Sequence, residues 1–134
     1  MNDKELLGIA KHVRESAYCP YSGVAVGAAL LTESGKVYTG INIENASYSP
    51  TVCAERVAFF SAIERGERSF KKIAIAGGPW GRAATSAFSP CGVCRQVMAE
   101  FCDGDFEIIL AEGDGTRVYR LSELLPASFT KELL

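Results

Sequence analysis

The sequence predicts an α/β fold, a three-layer α-β-α sandwich around a five-stranded mixed sheet whose last two strands are antiparallel. Three observations lead there. The short run 73–76 is wholly apolar, the pattern of a strand covered on both faces, and 106–111, apolar except for Glu107, reads as another buried strand. Segments of helical periodicity alternate with the strand-like runs, the order of an α/β protein. The turn Glu112-Gly113-Asp114-Gly115 is tight enough for a hairpin between the last two strands.

Each element has its own signal. Residues 3–17 read as an amphipathic helix, with Leu6, Ile9 or Ala10, Val13 and Ala17 at helical spacing and Asn2 with Glu5 as a capping box. Pro20 and Gly23 end it. Strands are expected over 26–32 and 37–42, joined by Glu33-Ser34-Gly35-Lys36. A helix follows over 53–65, stopped by Gly66. After the strand at 73–76 comes a Gly- and Ala-rich loop, 77–89. Pro90 then opens a helix over 91–101. Strands at 106–111 and 117–120 and a short helix at 122–125 complete the chain. No repeat or linker interrupts it, so residues 1–134 are expected to form one catalytic domain.

The bulk numbers narrow the function. Hydrophobic residues make up 48% and charged ones 22%, ordinary for a folded soluble chain. A net charge of -2, with basic residues scattered among acids, offers no footprint for nucleic acid. No apolar run is long enough to span a bilayer, and the polar start Met1-Asn2-Asp3-Lys4-Glu5 is no signal peptide. Five cysteines in such a chain argue for a reducing compartment, with the cytoplasm as the expected location.

Chemistry concentrates in Cys53-Ala54-Glu55 and Pro90-Cys91-Gly92-Val93-Cys94. Both segments fall at helix N-termini, which favour negative charge and lower thiol pKa values. A C-x-x-C pair puts two sulfurs on one side of a helix's first turn, and Cys53 offers a third. Three protein ligands leave one position open on zinc, the count of a catalytic site. Glu55 is then placed to handle protons beside the metal, and Arg56 to offset the anionic sulfurs from behind. A thioredoxin-like redox pair shares the C-x-x-C spacing, but does not explain the third thiol. A structural site needs a fourth ligand. Cys102 lies about 12 Å from Cys94 along the same helix, out of reach; Cys19, in a loop, is the thiol that distance leaves open. His12, between Lys11 and Arg14, reads as a surface residue. These residues describe a zinc hydrolase acting on a small molecule.

These segments resemble the cytidine deaminase family, in its small homotetrameric free-nucleoside branch. The likeness extends to Tyr18-Cys19-Pro20-Tyr21-Ser22, Val26-Gly27-Ala28-Ala29-Leu30-Leu31, Asn42-Ile43-Glu44-Asn45-Ala46, Cys53-Ala54-Glu55-Arg56, the stretch from Ser89 to Gln96 and Glu123-Leu124-Leu125-Pro126. It implies one zinc per subunit on Cys53, Cys91 and Cys94, with Glu55 carrying a proton from water to N3 of the pyrimidine while C4 loses ammonia. It further implies that Asn42 and Glu44 contact the ribose, and their spacing of two along a strand lets both face one sugar. Ala54 and Ser89 would hold the base and its amino group through their backbones. Tyr48 and Phe129 would be lent to neighbouring subunits in a homotetramer with shared active sites, serving pyrimidine salvage.

Two departures stand out. Val24 occupies a position where relatives usually carry a phenylalanine against the base, and the loop 78–88 is longer than usual. Either that loop is passive surface, or Trp80, Arg82 or Phe88 fills the space at Val24. Three other functions compete with cytidine and deoxycytidine deamination. One is a deaminase of a modified cytosine nucleoside or of an antibiotic such as blasticidin S. Another is polynucleotide editing, disfavoured by the acidic balance, by cysteine at 53, and by a turn at 113–115 too short to hold a helix. The third is a non-enzymatic zinc module, which would need Cys19.

Overall fold

The computed structural model describes residues 1–134. In chain order the elements are helix α1 (Asp3–Val13), strands β1 (Val24–Thr32) and β2 (Val37–Ile41), helix α2 (Ala54–Glu64), strand β3 (Phe70–Pro79), helix α3 (Gly92–Phe101), strands β4 (Glu107–Glu112) and β5 (Gly115–Arg120), and helix α4 (Leu121–Leu124). Single 3-10 turns lie at Arg14–Ser16 and Lys131–Leu133. The strands form one mixed sheet ordered β2-β1-β3-β4-β5. Only β3 and β4 run parallel, and β4 pairs antiparallel with β5. This is the expected architecture.

Alternation along the strands builds the two cores. Val26, Ala28, Leu30, Ile73, Ile75, Ile108 and Leu110 face α2 and α3, meeting Ala58, Phe59, Ala62 and Met98. Their sequence neighbours Ala29, Leu31, Ala74, Ala76, Ile109 and Ala111 face α1 through Leu6, Leu7 and Ala10. A period of two thus serves two helical layers at once. Phe59 anchors the larger core, with its ring centroid 5.0 Å from Phe70 and 6.0 Å from Phe106.

Two glycines let helices sit directly on strands. A Cβ on Gly27 would lie 2.1 Å from the Ala10 carbonyl oxygen of α1, and one on Gly40 would lie 2.1 Å from that of Ala54 in α2. The second contact matters for chemistry, since it seats the first turn of α2 on β2.

The elements differ from the sequence expectation mainly at their ends. Strand β3 runs ten residues instead of four, because β1 pairs with it from Val24↔Pro79 to Thr32↔Phe70. Gly77, Gly78 and Pro79 look like loop by composition, but the antiparallel partner holds them extended. Strand β1 likewise begins two residues early. Helix α1 stops at Val13, and Arg14, which periodicity leaves on the surface, is buried at 8% exposure. Its guanidinium donates to the carbonyls of Ala25 (2.8 Å), Gly78 (2.8 Å), Pro79 (2.6 Å) and Arg82 (2.7 Å). One side chain therefore ties α1 to β1 and to the root of the loop after β3.

Replacing Gly40 by alanine should lift α2 from the sheet and cost about 2 kcal/mol, the scale of core overpacking. Urea unfolding with an unchanged midpoint would remove this contact as a determinant of the fold.

Candidate active site and metal centre

Cys53 and Cys91 are the N-cap residues of α2 and α3, both with extended backbone and neither capping its helix through a side-chain bond. Cys94 is the third residue of α3. The three Sγ atoms lie within 4.8 Å of one another, with Cys53 to Cys91 at 3.7 Å and Cys91 to Cys94 at 3.6 Å. Tetrahedral zinc with sulfur ligands at about 2.3 Å requires an S···S spacing of roughly 3.8 Å. The donor set fits zinc in both chemistry and spacing. Cys94 is buried, Cys53 half-buried and Cys91 exposed, so the cluster opens outward on one side.

The thiols are unequal. The neighbouring Cys94 thiol, the Arg56 guanidinium and Cys91 together hold Cys53 well below its usual range, against the opposing effect of burial. Cys94 is pushed up, first by sharing its proton with Cys53 and then by burial and the charge of Glu55. Arg56 Nη2 donates to Cys53 Sγ at 3.4 Å, and its buried Nε has no partner in the chain. Arg56 thus supplies positive charge beside Cys53.

Glu55 occupies the second position of α2 and is only 3% exposed. Burial raises its carboxyl to about 7, with the Cys53 charge adding to the effect and hydrogen bonds opposing it. Ala54, fully buried beside it, is the residue whose carbonyl rests on Gly40.

A second group of polar residues lies where β1 begins and β2 ends. Strand β2 stops at Ile41, one residue sooner than expected, yet an isolated bridge at Ile43 keeps the chain extended. The alternation that would turn Asn42 and Glu44 to one side therefore survives. Asn42 is buried; its amide nitrogen donates to the Val24 carbonyl and its oxygen accepts from the Val26 N–H, each at 2.8 Å. Glu44 accepts from the Ser22 hydroxyl at 2.5 Å and from the Tyr21 and Ser22 N–H groups at 2.9 and 3.1 Å. The Ser22 hydroxyl, then the backbone donors, hold it below the usual carboxylate range. Glu44 borders a cavity of about 380 Å³ together with Tyr21, Ser22, Asn45, Tyr48 and Thr51.

Tyr48 is 72% exposed, adopts the left-handed φ of 62° that few non-glycine residues take, and meets Tyr21 edge-on. Phe129 is placed elsewhere. Its carbonyl accepts from Gln96 on α3 at 2.8 Å, and the residue is 58% exposed. Val24 is half-buried against the larger core.

Ser89, just before the second thiol segment, is held through its hydroxyl by Arg95 Nη2 at 2.7 Å, while Arg95 Nε donates to the Pro90 carbonyl at 2.7 Å. Arg95 and Ser22 were not singled out from sequence. For Arg95 a signal existed, since it follows C-x-x-C on the first turns of α3; Ser22 carried none. Cys19 packs with Ala17 and Ala25, outside the thiol cluster, and so does not close the tetrahedron. Burial pushes the Cys102 thiol up to about 12. His12 is exposed.

Comparison with known proteins agrees with this geometry. Residues 1–110 match the family described as "Cytidine and deoxycytidylate deaminase zinc-binding region". A cytidine deaminase from Sporosarcina psychrophila is 47% identical over 133 residues, covering 98% of this chain and 94% of that protein. The crystal structure of cytidine deaminase from Burkholderia pseudomallei superposes with a TM-score of 0.86 at 45% identity, covering 96% of this chain and all of that one. A blasticidin-S deaminase from Bacillus cereus is more distant, 30% identical over 109 residues, 79% of this chain and 77% of that protein. Thiol cluster, sheet order and these likenesses agree: the chain belongs to the zinc-binding cytidine and deoxycytidylate deaminase family.

Proposed function

We propose that this chain is a zinc-dependent cytidine deaminase, converting cytidine and deoxycytidine with water to uridine and deoxyuridine and ammonia. The observation that carries the reading is the convergence of three sulfurs at zinc-ligand spacing with a buried carboxylate on the helix turn that Cys53 opens. Cys53, Cys91 and Cys94 would hold a zinc ion, which when bound would supply the Lewis acidity that lowers the pKa of water for attack at C4 of the pyrimidine. Glu55 accepts the proton at its carboxylate and delivers it to N3, then assists departure of ammonia. Arg56 balances the negative charge gathered on the sulfurs. The Ala54 backbone and the Ser89 carbonyl orient the base and its amino group, with Val24 packing alongside. Asn42 and the ionised Glu44 receive the ribose hydroxyls.

The same reading takes residues 1–134 as one catalytic domain acting in pyrimidine salvage in the cytoplasm. No helix is long and apolar enough to cross a membrane. A homotetramer with shared active sites is supported by exposed apolar side chains, among them Tyr48 (72%) and Val93 (58%) near the polar and thiol groups and Phe129 (58%) at the end of the chain. In such an assembly Tyr48 and Phe129 complete neighbouring pockets. An antibiotic or modified-nucleoside substrate is the second reading, favoured by the small side chain at Val24.

Purified protein should deaminate cytidine and deoxycytidine, followed as loss of cytosine absorbance, and Glu55→Ala should lose at least about a thousandfold in kcat. Turnover of blasticidin S with silence on both nucleosides would replace this substrate by the second reading.

The zinc-free protein should also report the burial of Glu55. Its folded value of about 7 lies above its ordinary 4.5, so the folded state holds a proton that the unfolded chain has released. Stability contributed by this group is intact below pH 4.5 and falls by roughly 3 kcal/mol as pH rises through 7. Glu55→Gln should therefore melt well above wild type at pH 8 and close to it at pH 4.5. Parallel melting curves at the two pH values would contradict the buried carboxylate.

A further inference from the structure

The aromatic ring of Phe88 lies directly on Gly77. A Cβ at Gly77 would come within 2.4 Å of Phe88 Cγ and 2.5 Å of Cδ1, so the ring occupies the place of the missing side chain. Gly77 pairs with Val26 on β1 and lies beyond Ile75↔Leu110, the last rung between β3 and β4. Val26 and Ile75 both face α2 and α3, which puts the ring on that face, at the carboxyl end of the parallel pair. Ligands of open α/β sheets bind at such ends. Phe88 is half-buried, packs against the same core as Val24 and Cys53, and stands three residues before Cys91.

The loop that carries it is held at several points. Arg14 binds the carbonyls of Gly78, Pro79 and Arg82 at its root, the Trp80 N–H donates to Gly23 at 2.8 Å, and the Gly113 N–H donates to Thr85 at 2.8 Å. Arg95 fixes Ser89 and Pro90 at its end. Trp80 and Arg82 instead border a cavity of about 510 Å³ with Lys11, Arg14 and Glu15, residues at the end of α1 and in the turn after it. They face the other layer. Phe88 alone of the three comes to the side of the sheet that bears the thiols.

We propose that Phe88, seated on Gly77, is a specificity-determining residue whose ring forms the apolar wall against which the pyrimidine base packs. This rests on the deaminase reading. An aromatic face gives a flat base contact area at little entropic cost, and its loss weakens binding more than it slows the bond-breaking step.

The test is a double-mutant cycle of Phe88→Ala, Gly77→Ala and both together, with cytidine KM and kcat, the uridine dissociation constant by calorimetry, and melting temperature. Phe88→Ala should raise KM and the uridine Kd about tenfold while kcat changes less than about threefold. Gly77→Ala should do the same by dislodging the ring, and the double variant should be no worse than Phe88→Ala alone. A lower melting temperature with unchanged KM and Kd would make the ring a packing element only and overturn the proposal, as would additive effects in the cycle. If Phe88→Ala does not fold, Phe88→Leu must still raise the uridine Kd. Wild type that neither turns over cytidine nor binds uridine would instead refute the deaminase reading itself, independently of Phe88.

Discussion

Three sulfurs held within 4.8 Å of one another are the constraint from which the rest of this structure follows. As thiolates they repel, and as thiols they share protons unequally, with Cys53 drawn down and Cys94 pushed up. A divalent cation resolves that conflict by taking all three as anions. Two helix N-termini and one arginine supply the remaining positive field. Three thiolates on zinc would otherwise leave a net negative charge beside the buried Glu55 carboxylate. Glu55 belongs to the same balance. Its burial resists ionisation, and a cation beside it would favour the charged form.

Such crowding demands that two helices from separate parts of the chain begin at the same point. The sheet achieves this through close contact. Gly40 allows the first turn of α2 to rest on β2, and the pairing of β1 with the whole of β3 brings the segment after Pro79 back toward α2. Two arginines then fix what the strands leave loose. Arg14 gathers four carbonyls from β1 and the loop root, and Arg95 ties Ser89 and Pro90 to α3 and to the Leu124 carbonyl. Backbone carbonyls outside the ladders are thereby satisfied by charged donors, whose bonds are the stronger kind.

The polar group at the start of β1 and the end of β2 is built differently. Asn42 already spends its amide on bridging the Val24 and Val26 backbone, so it is rigid before any ligand arrives. Glu44 is likewise oriented by three donors from Tyr21 and Ser22. Preorganised polar groups of this kind lose little entropy on binding. Tyr48 and Phe129 contrast with them, standing largely exposed.

Local spacing determined a great deal by itself. Residues three apart on a helix share a face, so C-x-x-C placed Cys91 and Cys94 together, and C-A-E put Glu55 one step inside the helix that Cys53 caps. The apolar runs Ile73–Ala76 and Ile108–Ala111 identified the central strands, since double coverage makes such composition favourable. What only the tertiary structure decided was everything spanning distant segments. Cys53 and Cys91 are 38 residues apart, and their 3.7 Å separation depends on sheet order, which no local pattern encodes. The same holds for the length of β3, where glycine and proline were held extended by a partner strand. It holds for Arg14, whose burial requires four carbonyls from elsewhere, and for Phe88, whose ring lies on Gly77 of β3, where no side chain stands in the way. Periodicity reports the neighbours a residue has along its own element, whereas these contacts depend on neighbours that only folding supplies.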